Sequence, residues 1–168
     1  TESGEDFSKI NPLGYVPALE LDGGDVLLEA PAILQYLADM KPESKLAPAA
    51  GTMERVKLQQ HLNFTASELH KSFGPFFAAV KPEGAARDQA MTKLQRRFDA
   101  LEALLADGRD YAMGETFTVA DTYMFVVASW SGIIGLDLAP WPNVQKFVAR
   151  VAARPRVQDV LKREGLLN

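Results

Sequence analysis

Three short stretches carry residue types whose spacing suits binding chemistry. In Val16-Pro17 the proline fixes φ, removes a backbone donor and pushes the residue before it towards extended geometry. Tyr15 and Val16 are therefore expected as a strand-like edge whose N–H and C=O groups are free to pair with a second backbone, the β-augmentation mode. A plain loop proline fits the same residues, and the bond before Pro17 is open to either isomer. In Glu29-Ala30-Pro31 a helix begins on a residue without a side-chain oxygen, so its first-turn N–H groups stay available for a ligand carboxylate. Glu29, just before it, suits an ammonium group. A ligand with an α-ammonium, an α-carboxylate and a peptide backbone matches all of these features. The third stretch places Gln59, Asn63, Ser67 and His70 at i, i+4, i+8 and i+11, on one helix face. That face reads either as solvated surface or as the border of a polar cleft between domains.

The elements that must position these groups are legible around them. Ala18-Leu19-Glu20-Leu21 alternates, Val26-Leu27-Leu28 is an apolar run, and Asp22-Gly23-Gly24-Asp25 between them tolerates positive φ, so the pair predicts a β-hairpin. A helix follows with Pro31 in its first position and Ile33, Leu34 and Leu37 inward. The stretch Lys41–Gly51 is rich in proline and breaks the pattern, after which helical periodicity dominates, with the boundary between residues 46 and 47. A helix is expected from Thr52, its N-cap, to Phe73, stopped by Gly74-Pro75, with Leu58, Leu62, Ala66, Leu69 and Phe73 in the core. A second runs from Pro82 to Leu105, burying Met91, Leu94, Phe98, Leu101 and Leu105 and leaving Arg87, Lys93, Arg96 and Arg97 solvated. Thr118-Val119-Ala120-Asp121 is a capping box opening a helix that is apolar nearly all round, the expected centre of the helical domain. Trp130, Gly132, Ile133 and Ile134 read as its apolar exit. Helices from Pro142 and beyond Pro155 close the chain.

The 168 residues are 47% hydrophobic and 24% charged, ordinary for a globular protein with a core. A net charge of −4 argues against a general nucleic-acid or anionic-membrane surface, and no apolar run reaches bilayer length. The absence of a signal-peptide pattern makes cytoplasm the default. With no cysteine there is neither a disulfide, a thiolate metal site nor a cysteine nucleophile in these residues, and two separated histidines give no zinc cluster.

The runs GYVPALEL, LLEAPAILQYLADMKP, SELHKSFGP and FTVADTYMF, in this order, resemble the glutathione transferases, most closely the bacterial beta class. The resemblance implies an α+β remnant of a thioredoxin-like domain, hairpin plus helix, over residues 1–46, and an all-α glutathione transferase C-terminal domain over 47–168. It implies that a β-α-β segment precedes Thr1 and, in the beta class, carries the cysteine beside the glutathione thiol. Glutathione is then the co-substrate, with no cofactor and no metal. Val16, before a cis Pro17 and after Tyr15, pairs with the cysteinyl backbone, while Glu29 and Ala30 hold the γ-glutamyl end. Ala30 stands where serine is common and keeps only its N–H. Asn63 and the Ser67-Glu68-Leu69-His70 turn approach the ligand, some of it from the neighbouring subunit of a homodimer. His70 and Lys71 lie near the sulfur, where a cation or donor lowers a thiol pKa from about 8.5. Thr118 and Asp121 are a folding cap rather than catalytic groups. The implied activity is conjugation of the thiol to hydrophobic electrophiles, a detoxifying reaction. A non-catalytic ligand- or protein-binding scaffold on the same fold is the alternative.

Overall fold

The computed structural model describes residues 1–167. A two-stranded antiparallel sheet, β1 (Ala18–Glu20) and β2 (Val26–Leu28), pairs Ala18 with Leu28, Leu19 with Leu27 and Glu20 with Val26. Leu21 N–H donates to Asp25 C=O and Gly24 N–H to Leu21 C=O, both at 2.8 Å. Gly24 closes this turn at φ +87°, a conformation that favours glycine. The hairpin leads into α1 (Ala30–Asp39). Ile33 and Ala38 are its buried residues with Leu34 packed beside them, whereas Leu37, expected inward, is half exposed.

The helical part begins with α2 (Met53–Phe64), whose Thr52 hydroxyl accepts from Arg55 N–H as an N-cap should. The chain then runs through a π-helical turn, Thr65–His70, straight into α3 (Lys71–Phe77). Two expectations change here. Wholly buried Thr65 takes the core place expected for Ala66, because i+3 from Leu62 and i−4 from Leu69 fits the same face, and its hydroxyl donates to His61 C=O at 2.9 Å. Gly74-Pro75 does not stop the helix. Pro75 lacks an N–H donor and its ring crowds the carbonyl four residues back, but burial of Phe73 and Phe76 on either side offsets that cost.

The next helix, α4 (Gly84–Leu105), starts two residues later than expected and buries Leu94, Phe98, Leu101 and Leu105, with Met91 partly covered. Arg97 is not simply solvated, because its guanidinium grips Glu68 on the π turn at 2.6 Å. Helix α5 (Val119–Ile134) is the central one and carries eight buried residues. It continues through Trp130 and Ile133 to a glycine end at Gly135, φ +70°, so these residues are the end of the helix itself rather than an exit from it. Helices α6 (Pro142–Ala152) and α7 (Pro155–Arg163) finish the domain. Glu102 of α4 accepts from the N–H groups of Asn143 and Val144, serving as a remote cap for α6.

One core joins these pieces. Leu58, Leu62, Leu69, Phe73, Leu94, Phe98, Leu101, Met124, Val127, Val144, Phe147 and Val151 are fully buried, each side chain contributing about 1.5–3 kcal/mol by leaving water. The first part is tied to it by charge and hydrogen bonds. Arg55, nearly buried, pairs through both guanidinium nitrogens with Asp39 at the end of α1 and donates from Nε to Pro48 C=O at 2.8 Å. Gln59 donates to Gln35 at 3.0 Å, so the α2 stripe faces α1 at that point. No helix of the described residues is long and apolar enough to cross a membrane.

Candidate active site

The hairpin register sets the geometry of the first half of the site. Because Ala18 faces Leu28, the residues two before β1 and two after β2, Val16 and Ala30, lie at the same open end of the hairpin. The Val16-Pro17 bond is cis, and Val16 is 80% exposed. Neither its N–H nor its C=O pairs with another group among the described residues. Asn11, almost fully buried, holds the loop that leads to it: its amide donates to Tyr15 C=O at 2.7 Å and its carbonyl oxygen accepts from Leu13 N–H at 3.1 Å. Tyr15 itself is exposed, so it flanks the edge without pinning it. Nothing in the sequence reading singled out Asn11, although an Asn-Pro pair is a turn signal.

Glu29 is the cap residue of α1, at φ +68° and ψ +113°. For a residue with a Cβ this left-handed φ costs on the order of 1–3 kcal/mol, and such strain gathers at functional sites. The cap therefore falls one residue earlier than the expected Ala30, and Pro31 occupies the second helical position. The reason is local: Glu29 C=O already accepts from both Ala32 and Ile33 N–H, at 3.0 and 3.1 Å. Pro31 has no donor, so the Ala30 N–H is the free donor of the first turn, and the Glu29 side chain makes no cap bond. A free N–H, the positive end of a helix and an unengaged carboxylate stand together, and they complement a zwitterionic amino-acid head.

The second half comes from the helical domain. His70 ends the π turn, a kind of helix defect that often marks functional sites. Its Nδ1 lies 2.8 Å from the Tyr123 hydroxyl, and Trp130 sits edge-on to its ring with centroids 4.7 Å apart. Burial first, then the Lys71 ammonium, hold its pKa below the usual imidazole value, while the Glu29 carboxylate pulls it back up. Burial, followed by Glu29, holds the Tyr123 hydroxyl above its usual range. Glu29 thus enters the electrostatics of both groups. Lys71 is exposed. Phe73 and Phe77 pack edge-on against Trp130 at 5.7 and 5.4 Å, with Phe77 half exposed, which makes an aromatic wall beside the imidazole.

Other expected site residues are placed differently. Asn63 and Ser67 are exposed on the α2 stripe, with the Ser67 hydroxyl donating to Asn63 C=O at 2.8 Å. Glu68 is turned to Arg97, and the Leu69 side chain lies wholly in the core. Asp121 is fully buried and accepts from Ala112 N–H, Thr118 N–H and the Thr118 hydroxyl at 2.7, 2.7 and 2.9 Å. It caps α5 two residues before Tyr123 and takes no part in the site. Tyr123 is the functional candidate that sequence reasoning missed; its position on the face of α5 shared with Trp130, seven residues on, was the available signal. His61 is half-buried, with burial and then Arg109 lowering its pKa. No cluster of three or more His, Cys, Asp or Glu among the described residues is placed to hold a metal ion.

Residues 64–155 match the family model of the glutathione S-transferase C-terminal domain, and residues 1–40 that of the glutathione S-transferase N-terminal domain. The chain belongs to the glutathione S-transferase family. Glutathione S-transferase GstA of Escherichia coli O157:H7 is 39% identical over 165 residues, which span 98% of this chain and 81% of that protein. Among solved structures, a sphingomonad glutathione S-transferase complexed with glutathione superposes with a TM-score of 0.92 at 44% identity, over 99% of this chain and 82% of the other. A bacterial beta class glutathione S-transferase from Sphingomonas chungbukensis gives 0.93 at 43% identity, with the same coverage of both chains. Both the β-hairpin and helix of this transferase and its all-helical second part are thus those of the family.

Proposed function

We propose that this glutathione transferase lays its tripeptide along Val16 and joins the tripeptide's thiol to hydrophobic electrophiles. The observation that carries the reading is the open hairpin end, where the unpaired Val16 backbone, the free Ala30 N–H and the Glu29 carboxylate meet. The cysteinyl backbone pairs with Val16, flanked by Tyr15 and Pro17. The γ-glutamyl carboxylate takes the Ala30 N–H and its ammonium takes Glu29. Without a serine hydroxyl at Ala30, this end is weaker by about 1 kcal/mol, one net hydrogen bond.

The thiol ionises, its proton passing to solvent, and the thiolate sulfur forms a bond to the electrophilic carbon as the leaving group departs with its electron pair. His70 and Lys71 favour the thiolate by hydrogen bonding and positive charge. The electrophile rests against Trp130 and Phe77. The protein works as a cytoplasmic homodimer in detoxification, with a glutathione-binding unit over residues 1–46 and a helical unit over 47–168. Asn63 and the Ser67-Glu68-Leu69-His70 turn serve the ligand, some of it from the neighbouring subunit, and the Leu69 side chain anchors that turn in the core. Relatives named glutathione S-transferases, one of them complexed with glutathione, support the enzymatic reading over a scaffold.

Retention on immobilised glutathione, followed by a chlorodinitrobenzene conjugation assay with chloride release, tests it. Retention with turnover is the expected result. Retention without turnover returns the scaffold reading, and the absence of both retention and turnover contradicts the placement of the ligand.

A further inference from the structure

His70 is held in a slot between two side chains of one helix. Tyr123 and Trp130 stand seven residues apart on α5, two turns along one face, and the imidazole enters between them. Two proton arrangements are compatible with the 2.8 Å contact: the phenol donates to a bare Nδ1, or Nδ1–H donates to the phenol oxygen.

Acid–base chemistry separates them. A phenol, with an ordinary pKa of about 10, is a far stronger acid than a neutral imidazole N–H. A bare imidazole nitrogen, with a conjugate-acid pKa of about 6.5, is a far stronger base than a phenol oxygen. The hydrogen bond that joins the stronger acid to the stronger base has Tyr123 as donor. Partner accounting agrees. The Tyr123 hydroxyl has no other protein partner among the described residues, so donation to Nδ1 satisfies its proton and the bare nitrogen together. The reverse arrangement leaves the phenol proton without a protein acceptor. Local fields act in the same direction: burial and Glu29 keep the phenol protonated, and burial and Lys71 keep the imidazole neutral, with a single proton to place.

We infer that Tyr123 is a positioning residue whose hydroxyl donates to His70 Nδ1, fixes the imidazole proton on Nε2, and makes His70 a hydrogen-bond donor to the ligand sulfur rather than a general base. The inference rests on the proposed role of His70. It adds an assignment of which nitrogen carries the proton and of the residue that decides it. A thiolate accepts from Nε2–H without any proton being returned to the imidazole.

The test is nitrogen-15 NMR of the histidine side chains in the full chain at a pH where both are neutral, with His70→Ala used to separate His70 from His61. The wild type is expected to show His70 in a single form protonated at Nε2. Tyr123→Phe, which keeps the ring and its packing, is expected to give a mixture of both tautomers. Its turnover should fall about fivefold, the scale of one hydrogen bond, at unchanged KM for glutathione and unchanged unfolding midpoint. A wild-type proton on Nδ1, or wild-type tautomer populations in Tyr123→Phe, overturns the inference. If the tautomer behaves as expected but neither Tyr123→Phe nor His70→Ala changes turnover, the tautomer assignment stands and the catalytic role of His70 falls.

Discussion

A single hydrogen bond, 2.8 Å from His70 Nδ1 to the Tyr123 hydroxyl, joins the π turn to the central helix across 53 residues of chain. It engages one nitrogen of the imidazole and leaves Nε2 as the other. Trp130 packs edge-on against the ring and is itself backed by Phe73 and Phe77.

Replacing His70 with alanine removes a donor that acts on a charged sulfur. Hydrogen bonds to charged groups contribute about 1.5–3 kcal/mol, so turnover is expected to fall roughly ten- to hundredfold while KM for glutathione changes little. Steady-state kinetics at saturating electrophile check this. A KM effect without a kcat effect would mean that His70 binds the tripeptide and nothing more.

Asp121→Ala acts on folding and leaves the ligand alone. The substitution strands the N–H groups of Ala112 and Thr118, both buried, so the loss exceeds the roughly 1 kcal/mol of a surface cap and reaches about 2–4 kcal/mol. For a chain of this size that lowers the thermal midpoint by about 5–15 °C. Glutathione affinity of the folded fraction, measured by calorimetry below the transition, should match wild type.

Acid sensitivity follows from the Asp39–Arg55 pair. The hydrogen bonds from Arg55 hold the Asp39 carboxyl below its usual pKa of 3.8. A depressed folded value means the unfolded chain binds the proton more readily. The pair's contribution is therefore complete above the usual carboxylate value and disappears as pH falls through the lower folded one. Asp39 is half exposed, which holds the effect to below about 1 kcal/mol. Urea midpoints of wild type and Asp39→Asn should differ at pH 7 and draw together as pH falls below the usual carboxylate value of 3.8. A constant difference across that range would remove the ion pair as the cause.

Much of this was legible in the chain itself. The hairpin, the N-cap at Thr52, the box at Thr118 and Asp121, and the core of α4 and α6 follow from local rules of capping, turn chemistry and periodicity. The hairpin end with Val16, Glu29 and Ala30 was readable because proline and a missing cap leave visible marks. What escaped was set by tertiary packing. Helical spacing admits either Thr65 or Ala66 between Leu62 and Leu69, and Gly74-Pro75 reads as a stop although the packing of Phe73 and Phe76 carries the helix past it. The pairings of Glu68 with Arg97 and of His70 with Tyr123 join residues 29 and 53 apart, beyond the reach of any local pattern.

The central claim is the seat of the tripeptide at the open end of the hairpin. A crystal of the protein soaked in glutathione tests it most directly, with Glu29→Gln as its companion. The expected density has the cysteinyl backbone paired with Val16, the γ-glutamyl carboxylate on Ala30 N–H and the ammonium on Glu29, and it is lost or weakened in Glu29→Gln. Glutathione bound away from Val16 and Ala30, or bound unchanged in the variant, would contradict the account.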